Sequence, residues 1–230
     1  MRATAMSGSP RTTLVAGIAS AGALLLQPGL LGGFRVQPTP DMASTIVLQG
    51  PVVTVAALAM SVIAAVALVR GVRGEPGMMR ASRVAGVAVL VVVGAQVALA
   101  LTSALIGLTL ADPTQPMPPS ALAILPQAAV AVHAIALAAL AVVVICGRLL
   151  EPVARVALLF LALATTVSWL SQTGIAAFLQ GDGWLPLLVL LLLALRAVML
   201  VASIGLVIGL LVHGRSAAMR ARAEAIHRAW

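Results

Sequence analysis

Two ionisable side chains lie inside long apolar stretches of the chain. Arg196 follows Leu192–Leu195, and His133 lies between Val132 and Ala134. An ionisable residue inside a membrane is costly, and it is therefore a candidate functional residue by default. Arg196 carries five N–H donors, whereas no Asp or Glu occurs in any apolar stretch. Its donors therefore need amide, hydroxyl or carbonyl oxygens, water, or a bound anion.

Further polar residues fall at similar depths when the apolar stretches are folded as a zigzag. The resulting candidate intramembrane polar site comprises Arg196, His133, Gln96, Ser168 and Gln172. Three roles remain open for these residues: a structural cluster that holds helices together, a hydrated path or a site for an anionic or polar ligand, and an Arg196 that faces a partner subunit.

Catalytic and cofactor patterns are missing from the sequence. No serine lies in a nucleophile elbow, no Gly-rich phosphate loop is present, and no carboxylate pair lies in an apolar stretch. His133 has no second histidine at a matching depth, since His213 and His227 lie near and beyond the inner boundary. The single cysteine, Cys146, excludes an internal disulfide and a cysteine-cluster metal site. We therefore expect no enzymatic activity, no metal and no cofactor.

Composition places the chain in a membrane. It is 62% hydrophobic and 9% charged, whereas soluble domains carry about 25% charged residues. No stretch alternates between apolar and polar residues, as the strands of a transmembrane barrel do. Helices are therefore the expected way to satisfy the hydrogen bonds of the backbone in lipid. We predict an all-α bundle of six transmembrane helices with short loops in one integral membrane domain, with spans at about 14–31, 45–69, 84–110, 121–147, 156–179 and 187–212.

The arginines indicate the orientation of this bundle. Twelve of the fourteen lie in the two termini and in the loops between the second and third and the fourth and fifth spans. Short arginine-rich loops stay in the cytoplasm. We therefore expect both termini to be cytoplasmic, in a bacterial plasma membrane. The net charge of +8 then reflects orientation signals and contacts to anionic lipid, and we expect no nucleic-acid partner.

Both ends of the chain allow two interpretations. The first span, preceded by Arg2 and Arg11, has the length of a signal peptide, but no clear cleavage site follows its apolar core, and we expect a retained helix. Residues 214–230 form a basic cytoplasmic tail. Its apolar residues recur at helical spacing, which predicts a short amphipathic helix at the inner headgroups, with a frayed tail as the alternative; they are Met219, Ala223, Ile226 and Trp230.

The cytoplasmic loop between the second and third spans, Arg70–Arg83, contains Arg73-Gly74-Glu75-Pro76 and leads into an apolar span. It resembles the RGEPF-type loop of a family of small bacterial polytopic membrane proteins with no assigned function, although Gly77 replaces the usual Phe and those proteins usually have four spans. The end of the chain, from Gly214 to Glu224, is similar to the closing segment of that family. The resemblance implies only an uncharacterised integral membrane protein.

The six-span pattern also looks like the membrane half of exporters that are driven by a separate ATPase. A half of this kind needs a cytoplasmic coupling element, and the candidate coupling loop contains Arg70, Arg73, Glu75, Arg80 and Arg83. Two hypotheses follow. The first is a transporter or permease subunit that pairs with a cytoplasmic ATPase, another membrane subunit or a second copy of itself. The second is an accessory, immunity or regulatory membrane protein whose polar cluster is structural.

Overall fold

The computed structural model describes residues 10–26, 51–110, 120–171, 173 and 185–229. Its regular elements are all helices: α1 Pro10–Leu25, α2 Pro51–Arg70, α3 Met78–Ala81, α4 Arg83–Leu110, α5 Ser120–Cys146, α6 Pro152–Leu170 and α7 Leu185–Ala229. The expected all-α architecture is therefore confirmed. The loops expected opposite the arginine-rich loops, at residues 37–41, 112–119 and 181–183, lie outside the described residues, as does Gln172.

Five of these helices, α2, α4, α5, α6 and α7, are long and apolar enough to cross a membrane. The remaining apolar helix, α1, has 16 residues and extends about 24 Å. The expected third and fourth spans match α4 and α5 to within one residue at each end. The expected fifth span began at Val156, but α6 begins at Pro152, because proline fits the first turn of a helix, where its missing N–H is not needed.

The six long helices pack in a closed ring. Along the chain each helix packs against the next long helix, and the last helix, α7, returns to pack against α1. The single turn α3 lies between α2 and α4 and contacts both. Since sequence neighbours pack as antiparallel pairs, the ring places the helix ends near Arg70, Arg83, Cys146 and Pro152 at one end of the bundle. We call this the inner end, because the arginine-rich segments lie there.

The packed core lies towards the inner end. It is built from small and medium apolar residues of five helices, including Ala65 of α2, Val89 of α4, Leu140 and Val144 of α5, Leu158 of α6 and Leu210 of α7. Small residues let the backbones approach closely. A methyl group on Gly209 would lie 2.7 Å from the Cβ atom of Ala154. The α6–α7 contact therefore depends on this glycine.

Burial falls sharply towards the opposite end, which we call the outer half. Among the described residues, none in 96–105 of α4, 124–133 of α5 or 187–201 of α7 is buried. Only 6% of the apolar window of α7 is buried, compared with 28–33% in the other four candidate spans. In the described residues the outer parts of α4, α5 and α7 are therefore unburied, whereas α1, α2 and α6 keep buried residues at such heights, namely Ala23, Ala57, Ala164 and Ser171.

The C-terminal tail does not form a separate helix. Residues 214–229 continue α7, which is one helix of 45 residues and extends about 67 Å. The prediction of a distinct short amphipathic helix is therefore wrong in its boundaries, because no proline follows Val212 and the helix continues through Gly214 and Ser216. Three of the four predicted apolar positions, Met219, Ala223 and Ile226, are exposed.

Candidate functional site

Arg196 lies on the same face of α7 as a residue of the packed core. A spacing of seven residues is about two helical turns, so Arg196, Ser203 and Leu210 follow one another along a single face. Leu210 is a core residue that is 2% exposed. Arg196 itself is exposed. Among the described residues it forms no hydrogen bond or ion pair.

His133 lies on the core-facing side of α5. Leu137, Leu140 and Val144 follow it at helical spacing, and all three belong to the core. Its Nδ1 atom lies 3.2 Å from the carbonyl oxygen of Val92 in α4. A carbonyl oxygen only accepts hydrogen bonds, so this contact assigns the proton to Nδ1. His133 therefore bridges α4 and α5 at the upper edge of the core.

Gln96 continues the core face of α4 in the same way. It follows Ala85, Val89 and Val92 at helical spacing, and these three residues are buried in the core. Gln96 is half-buried, and no hydrogen bond of its amide is found in the described part of the chain. Ser103, two helical turns above Gln96 on the same face, is exposed.

The three polar residues lie at nearly the same height above the inner end. Gln96 lies thirteen residues above Arg83, the first residue of α4, and His133 lies thirteen residues above Cys146, the last residue of α5. Arg196 lies thirteen residues above Gly209, which packs on Ala154 near the start of α6. At 1.5 Å per residue each height is about 20 Å. We call Gln96, His133 and Arg196 the polar level.

Ser168, the remaining predicted member that the structure describes, takes no part in these contacts. Ser168 is half-buried and engaged in a polar contact. The neighbouring Thr165 donates to the sulfur of Met199 at 3.6 Å, and this register places Ser168 at the height of Arg196. Gln172 lies outside the described residues. No hydrogen bond joins any two of the four described members, so they share a height without forming one bonded cluster.

The candidate coupling loop folds onto the beginning of α1. The carboxylate of Glu75 accepts hydrogen bonds from the backbone N–H groups of Arg11 at 3.2 Å and Thr12 at 2.8 Å. In return the backbone N–H of Val72 donates to the hydroxyl oxygen of Thr12 at 3.0 Å. The N–H groups of Arg11 and Thr12 lie in the first turn of α1 and have no partners inside the helix. A carboxylate is also favourable at this end of the helix dipole. We call this contact the α1 latch.

Backbone conformation supports the α1 latch. Gly71, Arg73 and Gly74 have positive φ angles of 83°, 52° and 85°. A side chain on Gly71 would collide with the backbone carbonyl of Glu75, whereas the space beside Gly74 is open. Thr12 and Thr13 are completely buried, and sequence reasoning missed both. The available signal was a hydroxyl residue in the first turn of an apolar helix that starts at Pro10.

The four arginines of the coupling loop point away from these contacts. Arg70, Arg73, Arg80 and Arg83 are all exposed. Glu75, the only acidic residue between Arg70 and Arg83, is directed towards α1 instead of pairing with them. The inner end therefore presents a cationic surface at this loop.

A second polar contact at the inner end joins α6 to α7. The Nδ1 atom of His213 lies 3.4 Å from the carboxylate of Glu151, and the histidine is 6% exposed. Sequence analysis placed His213 at the membrane boundary but did not predict this partner. Nearby in sequence, the Nε atom of Arg155 is buried and has no hydrogen-bond partner among the described residues.

An apolar groove lies between α6 and α7. Its volume is about 740 Å³, and its α7 wall consists of Ala197, Val198, Val201, Ala202 and Gly205. These residues lie on the side of α7 opposite Arg196. The groove is therefore separate from the polar level and offers nothing to a polar ligand.

The described residues contain no group of three or more His, Cys, Asp or Glu side chains that could hold a metal ion. Comparison of the chain with protein-family models, curated proteins and solved structures gives no match. The arrangement of the helices is therefore the basis for a functional proposal.

Proposed function

We propose that this chain is a non-enzymatic, six-span integral membrane protein that acts as the membrane subunit of a transporter. Its path would run from the outer surface into the open half of the ring and reach Gln96, His133 and Arg196. The observation that carries this proposal is the alignment of Arg196 with the core residue Leu210 on one face of α7. Leu210 packs into the core, whereas Arg196 is exposed, and we propose that this face is directed inwards at both residues.

The energetics favour water at the polar level. A charged side chain that faces lipid at the helix centre costs about 2.5–3.5 kcal/mol even on the lenient insertion scale. Such residues normally face the bundle interior or a water-filled cavity. In the described residues the outer halves of α4, α5 and α7 have no buried residue, and we propose that water reaches Arg196 between these helices.

In this proposal α1 is retained as the first span, and both termini are cytoplasmic. The α1 latch supports retention, because removal of α1 would leave the Glu75 carboxylate without its backbone partners. The proposed inner end then carries the exposed loop arginines Arg70, Arg73, Arg80 and Arg83. We propose this loop as the surface that contacts a cytoplasmic ATPase.

The path is tested by thiol modification from outside. With Cys146→Ala as background, Ser103→Cys places a thiol on the inward face of α4, and Leu101→Cys places one about half a turn around the helix. Both native residues are exposed at almost the same height. A membrane-impermeant thiosulfonate should modify Ser103→Cys rapidly and Leu101→Cys slowly, because thiolate formation needs water. Equal rates at both positions, or no reaction at Ser103→Cys, would contradict the path.

One observation favours a second function, an accessory or regulatory membrane protein with structural polar residues. His133 already bonds to the Val92 carbonyl between two helices, and interhelical hydrogen bonds of this type contribute about 0.6 kcal/mol on average. In that case the outer half would be closed to water, and the Ser103→Cys thiol would remain unreactive.

A further inference from the structure

We propose that the open half of the ring binds a small anion at Arg196, with a carboxylate or phosphate as the recognised group. This inference rests on the proposed function, because the anion would enter along the same path. It goes further by assigning the chemical class of the solute and one residue that selects it.

The first reason is the sign of the charge at Arg196, which favours an anion. Arg196 is the only charged residue in the described outer halves 96–105, 124–133 and 187–201. The acidic residues with described side chains, Glu75 and Glu151, lie at the inner end, where the first bonds to α1 and the second to His213. Within the described residues the positive charge of Arg196 is therefore uncompensated, and such a charge attracts anions and repels cations.

The second reason is the hydrogen-bonding capacity of the Arg196 guanidinium group. Arginine presents a planar fork of N–H donors that matches carboxylate and phosphate oxygens in pairs. No donor of Arg196 is used in the described part of the chain. A partly dehydrated charge is stabilised by an opposite charge and by hydrogen bonds. An anion would supply both at once, whereas water supplies only hydrogen bonds.

The third reason is that Arg196 is more accessible from outside than Ser203. Arg196 lies about 10 Å above Ser203 on the same face of α7, and Ser203 is half-buried while Arg196 is exposed. A solute that enters from outside therefore meets Arg196 before it reaches Ser203. A thiol at position 203 reports which solutes pass the guanidinium.

The experiment compares two thiosulfonate reagents of opposite charge on Ser203→Cys in the Cys146→Ala background. The anionic sulfonatoethyl reagent and the cationic trimethylammonium-ethyl reagent are added from outside to the full-length protein in bilayers of zwitterionic lipid. The ratio of the anionic to the cationic rate should fall by about tenfold or more in Arg196→Gln, since two unit charges ~10 Å apart interact appreciably at an effective dielectric constant of about 20. Arg196→Lys keeps the charge and should largely keep the ratio.

Inorganic phosphate is the direct binding probe. It should slow modification of Ser203→Cys when Arg196 is present and have no effect in Arg196→Gln. Repeating the measurement in bilayers that contain anionic lipid distinguishes two sources of the anion. Protection by phosphate in zwitterionic bilayers indicates a dissolved anion, whereas protection that appears only when anionic lipid is added indicates a lipid headgroup.

The outcomes separate this inference from the proposed function. If neither reagent reacts at position 203 while Ser103→Cys is also unreactive, the path itself is wrong. If both reagents react but the ratio is the same with arginine and glutamine at position 196, the path stands and the anion site is wrong. If Arg196→Gln does not fold, Arg196→Lys and phosphate protection of the arginine-containing protein provide the test. A lack of phosphate protection there contradicts the anion site.

Discussion

The carboxylate of Glu75 lies 2.8 Å from the backbone nitrogen of Thr12, across a separation of 63 residues in the sequence. The α1 latch therefore joins the loop Arg70–Arg83 to the first helix of the ring. Any movement of this loop would also move the N-terminus of α1. Since α1 packs between α2 and α7, the contact connects the loop to the closure of the ring.

Loss of the Glu75 carboxylate should destabilise the protein. We expect Glu75→Ala to reduce the free energy of unfolding by about 0.5–2 kcal/mol, the range for loss of a helix N-terminal cap. Arg73→Ala is the matched control, because Arg73 is exposed in the same loop and should change stability by less than about 0.5 kcal/mol. Thermal unfolding in detergent measures both. Equal effects of the two substitutions would show that the latch contributes nothing specific.

The two loop glycines should differ in their tolerance of a side chain. Gly71 and Gly74 both have positive φ angles, so alanine at either position costs about 1–2 kcal/mol of backbone strain. Only at Gly71 would the new methyl group also collide with the Glu75 carbonyl. We therefore expect Gly71→Ala to lower the melting temperature clearly more than Gly74→Ala. A similar loss from both would indicate that the loop conformation differs from the one described.

The α6–α7 contact should be sensitive to one added carbon atom. In Gly209→Ala the methyl group would lie 2.7 Å from Ala154, and overpacking of this kind typically costs about 1–3 kcal/mol. Gly94→Ala is the matched control, because nothing lies within 4 Å of its new methyl group and alanine favours helix formation by up to about 1 kcal/mol. We therefore expect Gly209→Ala to lower the free energy of unfolding and Gly94→Ala to raise it. A neutral Gly209→Ala would mean that the helices are farther apart.

Much of the fold could be predicted from sequence, but the packing could not. Runs of about 20 apolar residues mark the helices, and the bounds of α4 and α5 follow closely. The ring order was not predictable, because each span is apolar on all sides and no polar face indicates its neighbours. Packing is decided by small residues such as Gly209, Gly17 and Ala154, whose effect depends on the partner surface.

The candidate site was predictable in its residues but not in its arrangement. Arg196 and His133 stand out as polar residues in apolar runs. That each continues the face occupied by Leu210 or Leu140 could be recognised only once the core was known. The two bonds of Glu75 in the α1 latch had no sequence signature, since their donors are backbone N–H groups. Sequence analysis treated Glu75 as one charge in a basic loop.

Retention of α1 and the proposed orientation are tested together on the purified protein and on reporter fusions. The intact mass should correspond to the full chain of 23.2 kDa, because α1 is part of the ring. A reporter that is active only outside the cell should be silent at the C-terminus and active when inserted within residues 113–119. A mass that lacks the first ~25 residues, the size range of a signal peptide, would remove α1 from the mature ring. An active C-terminal fusion would reverse the orientation.

The central claim is that the face of α7 that packs into the core at Leu210 is wet at Arg196. The most direct measurement is a spin-label scan of single cysteines from position 188 to position 203, comparing collision rates with a water-soluble nickel chelate and with oxygen. We predict that nickel accessibility oscillates with a period of about 3.6 residues and peaks in phase with Arg196 and Ser203, while oxygen accessibility peaks in phase with Val201. An oxygen maximum at Arg196 and Ser203 would place this face in lipid and contradict the account.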